Sequence, residues 1–130
     1  MMETLAVHTS QRIEFIDVTS RIAQAVRESG VDEGLCLAYV PHTTAAVTIN
    51  ENADPSVRRD PLTKLNQLVP ADDDYTHAEG NSDAHVKSTL VGCSEVIPVR
   101  DGHLALGTWQ GIYFCEFDGP RHRTLLVTVT

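Results

Sequence analysis

Apolar and polar side chains alternate along much of this chain, and the alternation predicts a fold dominated by β-strands. The stretch 12–15 (RIEF) alternates, so residues 4–18 are expected to form one or two strands. A short apolar run at 35–40 stops at a proline and predicts a further strand, and 44–49 (TAAVTI) predicts the next one. The first third of the chain is therefore expected to supply strands to a sheet.

The last third of the chain is also strand-like. Segments 95–100 and 103–106 flank an Asp-Gly pair, the dipeptide typical of a type I′ hairpin turn. Segments 112–118 and 124–130 alternate, which predicts two more strands with one buried face each. We expect these faces to carry Tyr113, Cys115 and Phe117 on one strand and Leu125, Val127 and Val129 on the other.

Three short helices are predicted between the strands. The first is capped by Asp17 or Thr19, has an apolar stripe of Ile22, Ala23 and Val26, and ends at Gly30. The third is capped by Ser82-Asp83, carries His85 and Leu90, and stops at Gly92.

The second helical region starts at Asp54-Pro55, but Pro61 lies inside it. A proline in a helix interior costs about 3 kcal/mol, so we expect a short helical turn and then a separate helix after Pro61. Strands without regular alternation with helices predict one α+β domain, residues 1–130, built on a mostly antiparallel β-sheet or sandwich with about three short helices.

Composition and charge narrow the functional classes. The chain has 130 residues, 42% hydrophobic and 22% charged, which fits a single globular domain. Its net charge of -8 leaves no basic stripe, so neither nucleic acid nor a membrane surface is an expected partner. We find no secretory signal and no long apolar run, and the three cysteines are odd in number and widely spaced. A cytoplasmic location is expected.

Three histidines lie in irregular segments or at the ends of predicted elements. His42 follows the proline that ends a strand, His77 lies in a polar loop, and His85 lies at the start of the third helix. Imidazole is the commonest protein ligand for metals, so these three are candidate ligands. Their spacing is not that of a helical ligand pair, and ordinary polar loop residues remain the alternative. Three other histidines are expected to be plain surface residues: His8, His103 and His122.

Other candidate residues have competing interpretations. Glu51 is a candidate general acid or base, because no helix pattern calls for a charge there. Asp54 precedes Pro55 and is explained equally well as a helix cap. Trp109 lies between glycines and either lines a site or packs in the core beside a bulge. Arg121 follows a turn, where it meets an anion or is simply solvated.

Six motifs occur in order along nearly the whole chain: HTTAA (42–46), NENAD (50–54), YTH (75–77), GNSDAH (80–85), LGTWQ (106–110) and EFDGPR (116–121). Together they resemble the YjbQ-like family, which is described as secondary thiamine-phosphate synthase-like. The resemblance implies a small cytoplasmic α+β protein that is usually a homotrimer. It also implies a site near subunit contacts and a divalent metal ion, with Zn²⁺ or Mg²⁺ the first candidates.

The resemblance also implies roles for particular residues. The implied metal ligands are His42, His77 and His85, and the implied catalytic acids are Glu51 and Asp54. The implied substrate-binding residues are Thr43, Thr44, Asn52, Asn81, Trp109, Gln110 and Arg121.

The implied reaction joins a pyrimidine methyl pyrophosphate to a thiazole phosphate and releases pyrophosphate. An acidic chain needs a cation beside that leaving group, either a metal ion or one of Lys87, Arg121 and Arg123. The expected partner is a small phosphorylated substrate. Two alternatives stay open: a non-catalytic oligomer that binds a metal or ligand, and a metal-dependent hydrolase or lyase acting on another phosphorylated metabolite.

Overall fold

Two antiparallel sheets and three helices make up the computed structural model, which describes residues 2–130. In chain order the elements are β1 (Met2–His8), β2 (Glu14–Asp17), α1 (Thr19–Ser29), β3 (Gly34–Tyr39), β4 (Ala45–Glu51), α2 (Pro55–Leu68), α3 (Ser82–Val91), β5 (Ser94–Arg100), β6 (His103–Leu104), β7 (Gln110–Glu116) and β8 (His122–Val129). One sheet has the order β1-β8-β3-β5-β6 and the other the order β2-β7-β4. The predicted α+β class with an antiparallel framework is confirmed.

The main core contains side chains from both sheets and from α1. Leu125, Val127 and Val129 of β8 are buried, as the alternation predicted, and they join Ile22 of α1 and Phe114 of β7 in one apolar cluster. β7 is the central strand of its sheet, and its residues 111–116 are buried on both faces. Its second face forms a separate cluster that includes Ala46, Ala84, Tyr113, Cys115 and Phe117, again as predicted.

Local signals placed α1 and the β5–β6 hairpin correctly. Gly30 ends α1 in the left-handed conformation with φ 71°, as predicted. The N-cap is Val18 rather than Asp17 or Thr19, and Asp17, one residue before it, accepts hydrogen bonds from the backbone N–H and the hydroxyl of Thr19. Asp101 and Gly102 both have positive φ, 52° and 74°, as a type I′ turn requires. The strand β6 is shorter than the predicted 103–106.

The predicted break at Pro61 is wrong. The helix α2 runs continuously from Pro55 to Leu68, with Pro61 inside it. Proline removes the hydrogen bond to the carbonyl of Val57. No residue of α2 is buried, so water can hydrate that carbonyl and the helix tolerates the loss. The N-terminal signal was correct, because Asp54 accepts a hydrogen bond from the N–H of Ser56 at 2.9 Å.

The outer face of the five-stranded sheet is apolar. Leu35 and Tyr39 of β3 and Val96 of β5 point away from the core and are 53%, 40% and 56% exposed. Separately, no helix within residues 2–130 is both long and apolar enough to cross a membrane. The cytoplasmic location stays a prediction.

Candidate functional site

An open cavity of about 750 Å³ lies where β3 ends and β4 begins. The irregular segment 40–44 supplies one wall, the loop before α3 and the first turn of that helix supply a second, and the β7–β8 connection supplies a third. Its lining residues are Tyr39, Val40, Pro41, His42, Thr43, Thr44, His77, Glu79, Asn81, His85, Cys93, Asp118, Arg121 and Arg123. The fold therefore brings together all three predicted histidines with Thr43, Thr44, Asn81 and Arg121.

His77 and His85 form a close pair in this cavity. Their ring centroids are 5.3 Å apart and the rings meet edge to face. The carboxylate of Glu79 lies beside this pair, with its Oε2 3.9 Å from Nε2 of His77. Seven residues of loop and helix start, 78–84, separate the two histidines in sequence, so the path of that loop brings their rings together.

His42 is held differently. Its Nε2 accepts a hydrogen bond from the backbone N–H of Thr124 at 3.0 Å. Burial and the nearby positive charge of Arg123 lower the pKa of His42. A neutral imidazole that accepts at Nε2 carries its proton on Nδ1. In this arrangement His42 offers a ring N–H to a ligand, whereas a metal ligand would need a ring nitrogen lone pair.

The histidines of the cavity supply only part of the donor set that a divalent ion requires. Within residues 2–130, no group of three or more His, Cys, Asp and Glu side chains lies close enough to share an ion. The pair His77 and His85 fits two positions of a coordination sphere, with the remaining positions left to water or to a bound ligand. Imidazole donors suit Zn²⁺ better than Mg²⁺, which prefers oxygen ligands.

Asp118 connects two of the predicted substrate-binding residues. Its Oδ2 accepts hydrogen bonds from Nδ2 of Asn81 at 2.8 Å and from Nη2 of Arg121 at 2.9 Å. Nε of Arg121 also donates to the Asp118 backbone carbonyl at 2.7 Å. Gly119 allows this turn to pass close to the N-terminal segment, because a Cβ there would lie 2.3 Å from the Gln11 carbonyl oxygen. The turn thus fixes the guanidinium of Arg121 at the cavity wall.

A buried ion pair underlies the cavity. Nε and Nη2 of Arg123 donate to the Glu116 carboxylate at 2.8 and 2.5 Å, and Nη2 also donates to the Thr44 hydroxyl at 2.9 Å. Thr9 and the Asp118 N–H donate to the same carboxylate. Burial would raise the pKa of Glu116, but these hydrogen bonds hold it below its usual value. Glu116 was not among the predicted site residues. The available signal was that it is a single acid at the end of the apolar strand 110–116.

Asp83 anchors α3 from inside the protein. It is fully buried and accepts hydrogen bonds from both Nη groups of Arg12 and from Nζ of Lys87. The N-cap of α3 is Asn81, so Asp83 does not have the capping role that the sequence suggested. Lys87 is itself 1% exposed and does not line the cavity, so it cannot supply the cation suggested for the leaving group.

A second cavity of about 380 Å³ adjoins the histidine pair. His77 and His85 line both cavities, and the other residues of the second one are Asp74, Tyr75, Thr76, Ser82 and Val86. The Tyr75 hydroxyl donates to the Pro70 carbonyl at 2.6 Å, which fixes the ring against its own loop. The histidine pair is therefore a shared wall between a space lined by arginines and a space lined by an aromatic ring.

The remaining predicted residues lie at the far end of β4. Glu51, Asn52, Asp54, Trp109 and Gln110 line none of the cavities described above, nor a third one beside His85 and Cys93. The seven residues of β4 separate them from the histidines by roughly 20 Å. Trp109 is 62% exposed, which excludes the core alternative.

This far end is held mainly through backbone groups. The Trp109 carbonyl accepts from the Asn52 N–H at 3.0 Å, and the Glu51 carbonyl accepts from the Tyr113 hydroxyl at 3.2 Å. A Cβ at Gly111 would lie 2.5 Å from the Asn52 amide nitrogen, so glycine permits this close packing. The structure thus splits the predicted site into two separate groups.

The fold and the site are those of a small α+β protein with two antiparallel sheets and a cavity lined by histidine, threonine and arginine. Residues 3–130 match the family model described as UPF0047 protein YjbQ-like. The chain belongs to this YjbQ/UPF0047 family, and the resemblance seen in the motifs is confirmed.

Relatives and solved structures agree with this assignment. A UPF0047 protein of Methanocaldococcus jannaschii is 53% identical over 129 residues, which cover 99% of this chain and 94% of the relative. YugU of Bacillus subtilis is 49% identical over 128 residues, covering 98% and 97%. A crystal structure of a YjbQ/UPF0047 protein from Clostridium acetobutylicum is similar with a TM-score of 0.97 at 51% identity, covering 98% and 99%. A Sulfolobus solfataricus structure, described as a protein of unknown function, has a TM-score of 0.96 at 36% identity, covering 99% and 95%.

Proposed function

We propose that this protein is a transferase resembling secondary thiamine-phosphate synthase, which joins a pyrimidine methyl pyrophosphate to a thiazole phosphate. One observation carries the proposal: two adjoining cavities share the pair His77 and His85. A reaction between a phosphorylated group and a heteroaromatic ring needs two neighbouring binding spaces that open onto a common reacting centre. Residues of different chemistry line the two spaces, as such a pair of substrates would require.

The larger cavity offers donors for phosphate oxygens. The Arg121 side chain is 52% exposed and is held on one side by Asp118, so its other N–H groups can bind an anion with two parallel hydrogen bonds. The His42 ring N–H and the Thr43 hydroxyl would add neutral donors. Arg123 contributes less, since Glu116 neutralises its charge. This arrangement binds and orients a phosphorylated substrate.

The smaller cavity suits a planar ring. The Tyr75 side chain lies beside Val86 there, and its hydroxyl is already bonded to Pro70. An aromatic ring held in one orientation favours offset stacking with a heteroaromatic partner. We therefore place the ring-bearing part of one substrate beside Tyr75 and its phosphates beside Arg121.

We further propose that His77 and His85 hold a divalent ion of the Zn²⁺ type. When bound, such an ion would neutralise negative charge on the departing pyrophosphate. In the proposed reaction a thiazole nitrogen forms a bond to the pyrimidine methylene carbon, and the bond from that carbon to the pyrophosphate oxygen breaks. Pyrophosphate leaves with the electron pair. The chain's own residues position both substrates for this transfer.

We also propose that the protein assembles as a homotrimer through the apolar outer face of its five-stranded sheet. Leu35, Tyr39 and Val96 expose apolar surface on that face, and Tyr39 also lines the larger cavity. Burial of such a face between copies is favourable and would narrow the cavity mouth. Val96→Glu should give a monomer in sedimentation analysis, while Val86→Glu, at an exposed helical position away from that face, should leave the assembly intact. If both variants keep the wild-type mass, the face is not the interface.

The proposed activity is tested with purified protein, Zn²⁺ and both thiamine precursors. We expect thiamine phosphate and pyrophosphate to form in equal amounts, and the double variant His77→Ala, His85→Ala to lose at least a hundredfold in rate. His103→Ala is the matched control, because His103 lies on the far hairpin and bonds its own loop carbonyl.

The two alternative functions predict different outcomes with the same protein and substrates. Pyrophosphate release without thiamine phosphate supports a hydrolase or lyase. Binding of the pyrimidine pyrophosphate, measured by calorimetry, with no turnover supports a non-catalytic binding oligomer. Either result overturns the transferase proposal.

A further inference from the structure

A second pair of histidines faces each other on the opposite side of the sheet from the buried ion pair. His8 of β1 and His122 of β8 are directly opposite each other in the antiparallel register. Their ring centroids are 4.6 Å apart at an interplanar angle of 87°, and their Nδ1 atoms are 2.5 Å apart. Both side chains are exposed. They are surface histidines, as the sequence suggested, and the fold brings them into contact with each other.

This pair is separate from the cavity. β8 alternates, so Arg123 points into the protein and His122 points out. Neither His8 nor His122 lines the cavities that contain His77 and His85. Whatever His8 and His122 bind is bound independently of the proposed substrates.

The contact between the two nitrogens allows two arrangements. Both atoms cannot present lone pairs to each other, so either one neutral ring donates its N–H to the other or a metal ion takes the place of that proton between them. Neutral imidazole is a good ligand for Zn²⁺, Ni²⁺ and Cu²⁺. Two ligands about 2.0–2.1 Å from one ion lie roughly 3 Å apart. Small rotations of two exposed side chains reach that separation.

We propose that His8 and His122 form a surface site for a divalent transition-metal ion, bound through the two Nδ1 atoms with water completing the coordination sphere. β1 is the outermost strand of its sheet and pairs only with β8 in the described sheet order. An ion bound here joins the N-terminal strand to β8. Because it binds the folded protein and not the separated strands, it stabilises the edge of the sheet.

Cu²⁺ is the first probe, since it binds nitrogen sites most tightly among these ions. The background is the double variant His77→Ala, His85→Ala, which lacks the other histidine pair. Calorimetric titration of this full-length background should show one Cu²⁺ site per chain. Adding His8→Gln or His122→Gln should weaken that site at least tenfold, while adding His103→Gln should not change it. Circular dichroism checks that each variant is folded.

Nuclear magnetic resonance of the ligating nitrogen atoms tests the proposed site independently. Adding Zn²⁺, which is diamagnetic, should shift the ¹⁵N resonances of Nδ1 in His8 and His122 and leave those of His103 unchanged. The proposal is overturned if the background binds no Cu²⁺, or if both glutamine variants bind it as tightly as the background does. Titration of the two rings as a proton-sharing pair without metal binding also overturns it. None of these outcomes bears on the histidine pair of the cavity, His77 and His85, which the background already lacks.

Discussion

The two ends of β4 carry neighbouring sequence motifs, but they differ in how their side chains are held. At its start, near Thr44, side chains from distant parts of the chain meet: Thr9 and Arg123 both donate to Glu116 beneath a cavity, and Arg123 also donates to Thr44. At its other end, Asn52 is held mainly through backbone hydrogen bonds, and Trp109 projects into solvent.

The difference shows that closeness in sequence is a poor guide to a shared site. The motifs HTTAA and NENAD are separated by three residues, yet one strand length lies between their functional side chains. The start of β4 has a cavity and donors held in fixed positions, which are physical marks of a binding site. The far end has polar side chains that line none of the cavities described above.

The largest effect is expected at the buried ion pair. Arg123→Ala leaves the Glu116 carboxylate buried without its main partner, which should lower the free energy of unfolding by about 3–5 kcal/mol. Urea denaturation followed by circular dichroism measures this free energy of unfolding. The double variant Glu116→Gln, Arg123→Met removes both charges and should recover part of the loss. Equal losses in the single and double variants would contradict the role of the ion pair.

Glu51→Gln tests whether the two ends meet in an assembly. If Glu51 of one copy reaches the cavity of another, this variant should lose a hundredfold or more in rate, within the range of general acid–base catalysis. Mixed oligomers of Glu51→Gln with the variant His77→Ala, His85→Ala should then recover part of the activity, because some sites combine two intact halves. A full-rate Glu51→Gln enzyme would restrict the site to the start of β4.

A smaller effect on stability is expected from a change of pH, through the protonation of His42. Its pKa is lowered in the folded protein, so the unfolded chain binds its proton more readily. The contribution to stability is present above the ordinary histidine pKa of about 6.5 and is lost as pH falls through the lowered folded value. Between pH 7.5 and 5.5, the wild type should therefore lose more stability than His42→Gln in urea titrations. Parallel losses would show that His42 carries no such linkage.

The smallest effect is expected at the far end, where Asp54 caps α2. Asp54→Ala should lower the melting temperature by less than Arg123→Ala does, because an exposed cap is partly replaced by water. Asp54→Asn keeps a side-chain acceptor and should stay close to the wild type. A hundredfold loss of activity in Asp54→Asn, with stability unchanged, would instead make Asp54 a catalytic residue.

Signals that depend on neighbouring residues predicted much of the framework. The alternation in β8, the end of α1 at Gly30 and the turn at Asp101 were all correct, because hydrophobic period and turn chemistry are local properties. The continuity of α2 through Pro61 was not predictable in this way. Whether a proline breaks a helix depends on whether water can reach the carbonyl that it frees, and exposure is a tertiary property.

The sequence alone determined the fold class, the family and most of the residues that line the cavity. Tertiary structure decided which of those residues meet. It separated Glu51 from the histidines and paired Glu116 with Arg123, and it brought His8 against His122 across strands at opposite ends of the chain. The physical reason is that contacts between distant segments depend on sheet order and register, and no local pattern encodes these.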